Sequence, residues 1–194
     1  MSTEHGSFSI LSYIHSYYDV SMRAVESELA HSDAVIIAGD IVDGPDTKRV
    51  INYLRSLGDK VICIAGNHEW VLRNALSRRA FAGAWRDEVW ARYHYKTMQS
   101  YGIEPTREWR DNATLLRESL EDNEHLAWLN HLPPYYSNDE FIVVHAGPHL
   151  KQDWNTQAAQ LDEYNASDEN RLAAEPSQVF FNRTCQNARD STSR

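Results

Sequence analysis

Cysteine is scarce in this chain: Cys63 and Cys185 are the only two among 194 residues. Neither suggests a disulfide framework, and Cys63, inside an apolar run, reads as a small buried thiol. Basic charge is also in short supply. Nineteen Lys and Arg stand against 28 Asp and Glu, for a net charge of -9. That balance argues against a protein that grips nucleic acid through its phosphates, which takes clustered cations able to release counterions. Long apolar runs are missing too. No stretch approaches the ~20 residues of a membrane-spanning helix, and the polar start Met1–Gly6 is not followed by the apolar core of a signal peptide. A reducing, cytoplasmic location is the expectation, with no membrane and no nucleic acid as partner.

What is present suits a folded domain. Apolar residues make up 42% and charged residues 24%, inside the range of globular proteins and outside that of disordered ones. The length allows one substantial core. One domain is expected over residues 1–186, followed by a polar, flexible tail over 187–194.

The informative pattern is a short apolar run ending in a small residue or a metal-ligand type. Ser7 to Tyr13 leads into Ile14-His15, Ala34 to Ala38 into Gly39-Asp40, and Val61 to Ala65 into Gly66-Asn67-His68. Phe141 to Val144 leads into His145-Ala146-Gly147, and a weaker copy, Val179 to Phe181, into Asn182-Arg183-Thr184. Runs of this length and composition read as strands buried on both faces. Helical periodicity predicts one helix over about 17–30 and another over about 50–57, closed by Gly58. Strand, helix, strand, helix, strand is a βαβ order, so the first three strands should be parallel. Ligands bind beyond the carboxyl ends of such strands, where His15, Asp40, Asn67, His68 and His145 would gather.

From 69 to 131 the chain reads as a mainly helical insert able to cover that crevice, and Leu132 to Glu140 reads as the breaker before the fourth strand. The tryptophans Trp70, Trp85, Trp90, Trp109 and Trp128 read as packing rather than as a base-stacking platform. Taken singly, each polar residue has an ordinary reading. Asp40 and Asn67 follow glycines as turn residues do, and Asp43-Gly44-Pro45-Asp46 makes a turn and N-cap before the second helix. Their joint occurrence at strand ends favours a site.

Gly39-Asp40-Ile41-Val42-Asp43, Gly66-Asn67-His68-Glu69 and Val144-His145-Ala146-Gly147 together resemble the motifs of calcineurin-like metallophosphoesterases. The branch they resemble most is that of the phosphoprotein phosphatases and symmetrical dinucleoside tetraphosphatases, and the resemblance runs to about residue 150. It implies an α/β fold with a β-sandwich core flanked by helices (αββα). It also implies two divalent metal ions, manganese, iron or zinc, with Asp40 bridging them, His15 on the first, and Asn67 and His145 on the second. His68 would be the general acid, oriented by Asp43. The implied reaction is hydrolysis of a phosphomonoester, a phosphoprotein or a dinucleoside polyphosphate, so the implied partner is a phosphorylated small molecule or protein.

Three positions depart from the family. Tyr13-Ile14-His15-Ser16 stands where the family has Asp-x-His-Gly, so a phenol replaces a carboxylate. Asp43 is followed by Gly44-Pro45 without the arginine that clamps substrate phosphate. Arg183 stands where a histidine ligand is usual, and is expected instead to touch substrate phosphate. The first metal site is therefore expected to be weak, and the sheet to lack terminal strands or borrow them from another chain. The alternative these departures raise is a catalytically impaired pseudophosphatase that binds a phosphorylated ligand or partner.

Overall fold

Three of the apolar runs pair side by side as the βαβ order requires. In the computed structural model, which describes residues 6–77, 82–145 and 178–181, β1 (Phe8–Leu11), β2 (Ala34–Ala38) and β3 (Val61–Ile64) form a parallel sheet in that order. Phe8 lies opposite Ala34 and Val35 opposite Val61. The crossovers are α1 (Tyr18–Leu29) and α2 (Thr47–Ser56). Gly58, at φ 55°, turns the chain out of α2 into a 3-10 turn, Gly58–Lys60, before β3.

The expected burial on both faces holds for the central strand β2 and fails for β1, which is half-buried throughout. β1 lies at one end of the three-strand order, so among the described residues no strand of this sheet covers its outer side. Cys63 is likewise only partly buried, packed against the main core as a free thiol.

A second sheet runs antiparallel in the order β4 (Tyr135–Ser137), β5 (Phe141–Val144), β6 (Gln178–Phe181). β4 corrects the reading of Leu132 to Glu140 as breaker alone. Tyr135 and Tyr136 favour a pleated, half-covered surface and pair with Val144 and Val143. Asn138 supplies the turn, its side-chain oxygen accepting from the N–H groups of Glu140 and Phe141 at 2.9 and 2.8 Å.

Side chains of β2 alternate between two cores, as the two-residue period of a strand demands. Ile36 and Ala38 face Ile64 and Val143, with Phe8, Tyr136 and Phe141 around them, in the small core between the sheets. Val35 and Ile37 face a larger core built with Val25, Val50, Ile51, Leu72 and residues of the helical insert. Helix, sheet, sheet is thus the layering of the described residues, an α/β fold.

The insert is helical as expected: α3 (Asn67–Ala75), α4 (Ala82–Arg86), α5 (Glu88–Ser100), α6 (Trp109–Asp122) and α7 (His125–His131). Among the described residues no helix is long and apolar enough to cross a membrane. Arg183, Cys185, the expected loss of terminal strands and the tail over 187–194 fall outside the described residues.

Candidate active site

The carboxyl ends of the parallel strands meet the end of β5 in one crevice, and the backbone there is unusually constrained. Among the described residues six non-glycine residues have positive φ, and five of them, Tyr13, His15, Ser16, Asp40 and Asp43, line this region. Such conformations cost roughly 1–3 kcal/mol each and persist where surrounding structure imposes them, often at functional sites. One source of that imposition is visible. The His15 N–H donates to the Asp40 carbonyl at 2.9 Å, and the Ser16 hydroxyl donates to the Ile41 carbonyl, stapling the loop after β1 to the loop after β2. Gly44 packs so closely beneath this staple that a Cβ there would fall 1.6 Å from the His15 carbonyl oxygen.

The sequence-predicted residues come together. Asp40 is buried, with His15 Nε2 at 3.7 Å from Oδ2 and His145 Nε2 at 3.2 Å from Oδ1. Asn67, opening α3, places Oδ1 2.9 Å from the same His145 Nε2. Ligand atoms of His15, Asp40 and His68 lie within 4.8 Å of one another. His68 bonds through Nδ1 to Asp43 Oδ2 at 3.0 Å. Asp46 corrects part of the turn reading: it holds the N-cap position of α2 but its carboxylate makes no capping bond, and it pairs instead with Arg49 at 3.7 Å.

The donor set fits a cation. His145 Nδ1 must donate to the Ala38 carbonyl at 2.8 Å, so in the neutral ring Nε2 presents a lone pair. That lone pair faces Asp40 Oδ1 and Asn67 Oδ1, three electron-pair donors converging on one small volume. A bound cation would be ligated by all three at once. Motif glycine makes the room, since a Cβ at Gly66 would fall 2.5 Å from Asp40 Oδ1. Mixed nitrogen and oxygen donors suit manganese, iron or zinc.

The electrostatics follow from burial. Without a cation, burial and then the charge of Glu69 push Asp40 up to about 6, only partly offset by His145 and His68. Burial and the nearby His68 lower His15. For Asp43 burial acts upward, yet the hydrogen bonds and charges of His68 and His94 hold it below the usual carboxylate range. For His68 burial acts downward, but the hydrogen bond and charge of Asp43, with the charges of Asp40 and Glu69, raise it.

Several site residues were given no role from the sequence, Glu69 among them although it closes the Gly66-Asn67-His68-Glu69 motif. Glu69, fully buried, accepts from four backbone N–H groups: Asp40 and Gly66 on Oε2 at 2.9 and 2.7 Å, Ile41 and Val42 on Oε1 at 2.7 and 2.9 Å. Its bond back to Gly66 is the N3 half of a capping box, and that position was the available signal. Glu69→Gln puts an amide N–H2 against these donors and is expected to cost about 3–5 kcal/mol. Denaturant unfolding should show the loss as a lowered midpoint at constant slope; an unchanged midpoint contradicts it. The insert reaches the site as expected, through α5. Trp90, read as packing alone, also stands against the His68 ring at 5.0 Å between centroids, and Tyr93 at 4.8 Å. Tyr13, in place of the expected carboxylate, sets its half-exposed ring 5.9 Å from those of both His15 and His145.

Comparison with known proteins gives three kinds of likeness. The family model for calcineurin-like phosphoesterases matches residues 7–184. The symmetrical bis(5'-nucleosyl)-tetraphosphatase of Nitrosomonas europaea is 32% identical over 133 residues, covering 68% of this chain and 40% of its own length. That of Aromatoleum aromaticum is 29% identical over 130 residues, covering 66% and 38%. A metallophosphoesterase of known structure from Sphaerobacter thermophilus is 24% identical, with coverage of 74% of this chain and 48% of its own and a TM-score of 0.46. The chain thus spans about 40% of the length of the curated relatives it matches.

Proposed function

This chain belongs to the calcineurin-like phosphoesterase family, and from that premise we propose that it hydrolyses phosphate esters with divalent cations held by His15, Asp40, Asn67 and His145. The observation that carries the reading is the convergence of His145 Nε2, Asp40 Oδ1 and Asn67 Oδ1. Two divalent cations, when bound, supply phosphoryl charge neutralisation and a water of lowered pKa.

The chain's own groups do the rest. His68 Nδ1–H is committed to Asp43, which leaves Nε2 to carry the proton that the leaving oxygen needs. Burial acts against the charged ring, but the hydrogen bond and charge of Asp43 raise the basicity of His68 and so favour the form that carries that proton. Glu69 fixes the loop that carries Asp40. By likeness to the relatives the substrate is a dinucleoside polyphosphate, with a phosphomonoester or phosphoprotein as the other classes.

A second reading is favoured by Tyr13. A phenol, with an ordinary pKa near ~10, ligates a cation poorly unless the cation deprotonates it, and no arginine follows Asp43. On this reading the crevice binds a phosphorylated ligand with little or no turnover. Hydrolysis of p-nitrophenyl phosphate and of a dinucleoside tetraphosphate with added manganese separates the two. Turnover is expected, and Tyr13→Asp should raise manganese affinity by roughly 10-fold or more. Phosphate binding without turnover in either form supports the impaired reading, and neither binding nor turnover contradicts both.

A further inference from the structure

Four residues of α5, Trp90, Tyr93, His94 and Thr97, follow the i, i+3, i+4, i+7 spacing that places side chains on one stripe of a helix. All four touch the His68–Asp43 pair. Trp90 and Tyr93 wall the imidazole. On Asp43, the Thr97 hydroxyl donates to Oδ1 at 2.9 Å and His94 Nδ1 approaches the same oxygen at 3.5 Å, while His68 takes Oδ2 at 3.0 Å. Asp43, His94 and Thr97 are all buried, so no water is needed to explain the carboxylate's bonding.

The Thr97 hydroxyl has one proton and two acceptors in reach, Asp43 Oδ1 at 2.9 Å and the Tyr93 carbonyl at 3.4 Å. The nearer, charged oxygen takes it, because charge-assisted bonds are roughly twice as strong as neutral ones. A carboxylate turns about a soft torsion with broad minima. A donor fixed on one oxygen therefore decides where the other points.

We propose that Thr97 is a positioning residue for phosphoester cleavage: by holding Asp43 Oδ1 it fixes the carboxylate plane, so that Oδ2 keeps His68 Nδ1–H and aims Nε2 at the leaving oxygen. This rests on His68 acting as the acid. As a water oxygen bonds to phosphorus and gives up a proton to solvent, the P–O bond to the leaving group breaks, its electron pair goes to the leaving oxygen and the Nε2 proton follows, while Asp43 stays ionised and Thr97 keeps its proton on the bond to Asp43. The role predicts a dependence on the leaving group. An ester whose leaving oxygen is very basic needs the proton; dinitrophenolate leaves without it.

Thr97→Val removes the hydroxyl at nearly constant shape, and Thr97→Ser retains it. With Thr97→Val, kcat for phenyl phosphate should fall roughly 10- to 100-fold more than kcat for dinitrophenyl phosphate, with KM little changed, and Thr97→Ser should restore most of the difference. An equal fall for both esters, or none, overturns the proposal. A second readout does not depend on turnover. In zinc-loaded protein the His68 Nδ1–H resonance should exchange with water faster in Thr97→Val than in wild type and slow again in Thr97→Ser. An unchanged resonance overturns the role of Thr97 even in a protein that turns nothing over. A wild type that hydrolyses neither these esters nor a dinucleoside tetraphosphate removes the phosphoesterase reading, and the resonance then still decides whether Thr97 holds the pair.

Discussion

Asp40→Asn is expected to make the metal-free protein more stable while depriving it of its cations. The carboxylate is buried and its folded-state pKa of about 6 stands above the ordinary 3.8, because burial and the charge of Glu69 both oppose ionisation. An acid raised in this way removes stability as pH climbs from about 4 through about 6, and the loss is complete above that. At pH 8 the neutral amide is spared it, a gain on the order of 3 kcal/mol, or roughly 6–12 °C in Tm for a chain of this size. The same change takes away the group placed between His15 and His145. Loss of a supporting partner alone typically weakens metal binding 10- to 100-fold, so affinity should fall by roughly 100-fold or more and hydrolysis with it. Calorimetry of metal-free protein beside manganese titration checks both halves. Lower stability with undiminished binding would mean that Asp40 is a structural residue.

His68→Asn should leave the fold close to intact and remove most of the rate. The asparagine amide can still donate to Asp43, replacing the 3.0 Å bond from Nδ1, but it has no proton to give a leaving oxygen. General acids contribute roughly 10²- to 10⁴-fold, and kcat for an ester with a basic leaving group should drop by that factor. The pH dependence carries a second signature. Wild-type kcat should decline as pH rises through the raised pKa of His68, and the variant should lose that limb. Stability obeys the same charges. The His68 contribution is fully present below 6.5 and is lost as pH rises through its raised folded value. The Asp43 contribution is present above 3.8 and is lost as pH falls through its depressed one. The pair therefore supports the fold best between about 4 and 6.5. A variant with full kcat on every ester would remove His68 from the chemistry.

Much of this arrangement was legible before any coordinates because the residues involved sit at strand ends. A short apolar run followed by Gly-Asp or Gly-Asn-His declares both a strand and the polar group projected beyond it; β2 is buried throughout as that reading requires, and β3 is buried at its two ends and half-buried between them. His145 was legible for the same reason at the end of β5. Glu69 was visible as the last residue of its motif but its role was not, since only the fold brings the loop over 40–42 onto its carboxylate. The stripe on α5 escaped for a related reason: Trp90, Tyr93, His94 and Thr97 have helical spacing that fits core packing equally well, and what they pack against lies more than 20 residues away in sequence. β4 was hidden by its neighbours, the prolines and Asn138 that mark where it starts and stops.

Anomalous scattering from crystals grown with manganese puts the central claim to its most direct trial. Peaks within bonding distance of the Asp40 carboxylate, with His15 on one side and Asn67 and His145 on the other, are the expected result. Density that is absent there, or confined to carboxylates elsewhere on the surface, would contradict a metal-dependent site at the ends of these strands.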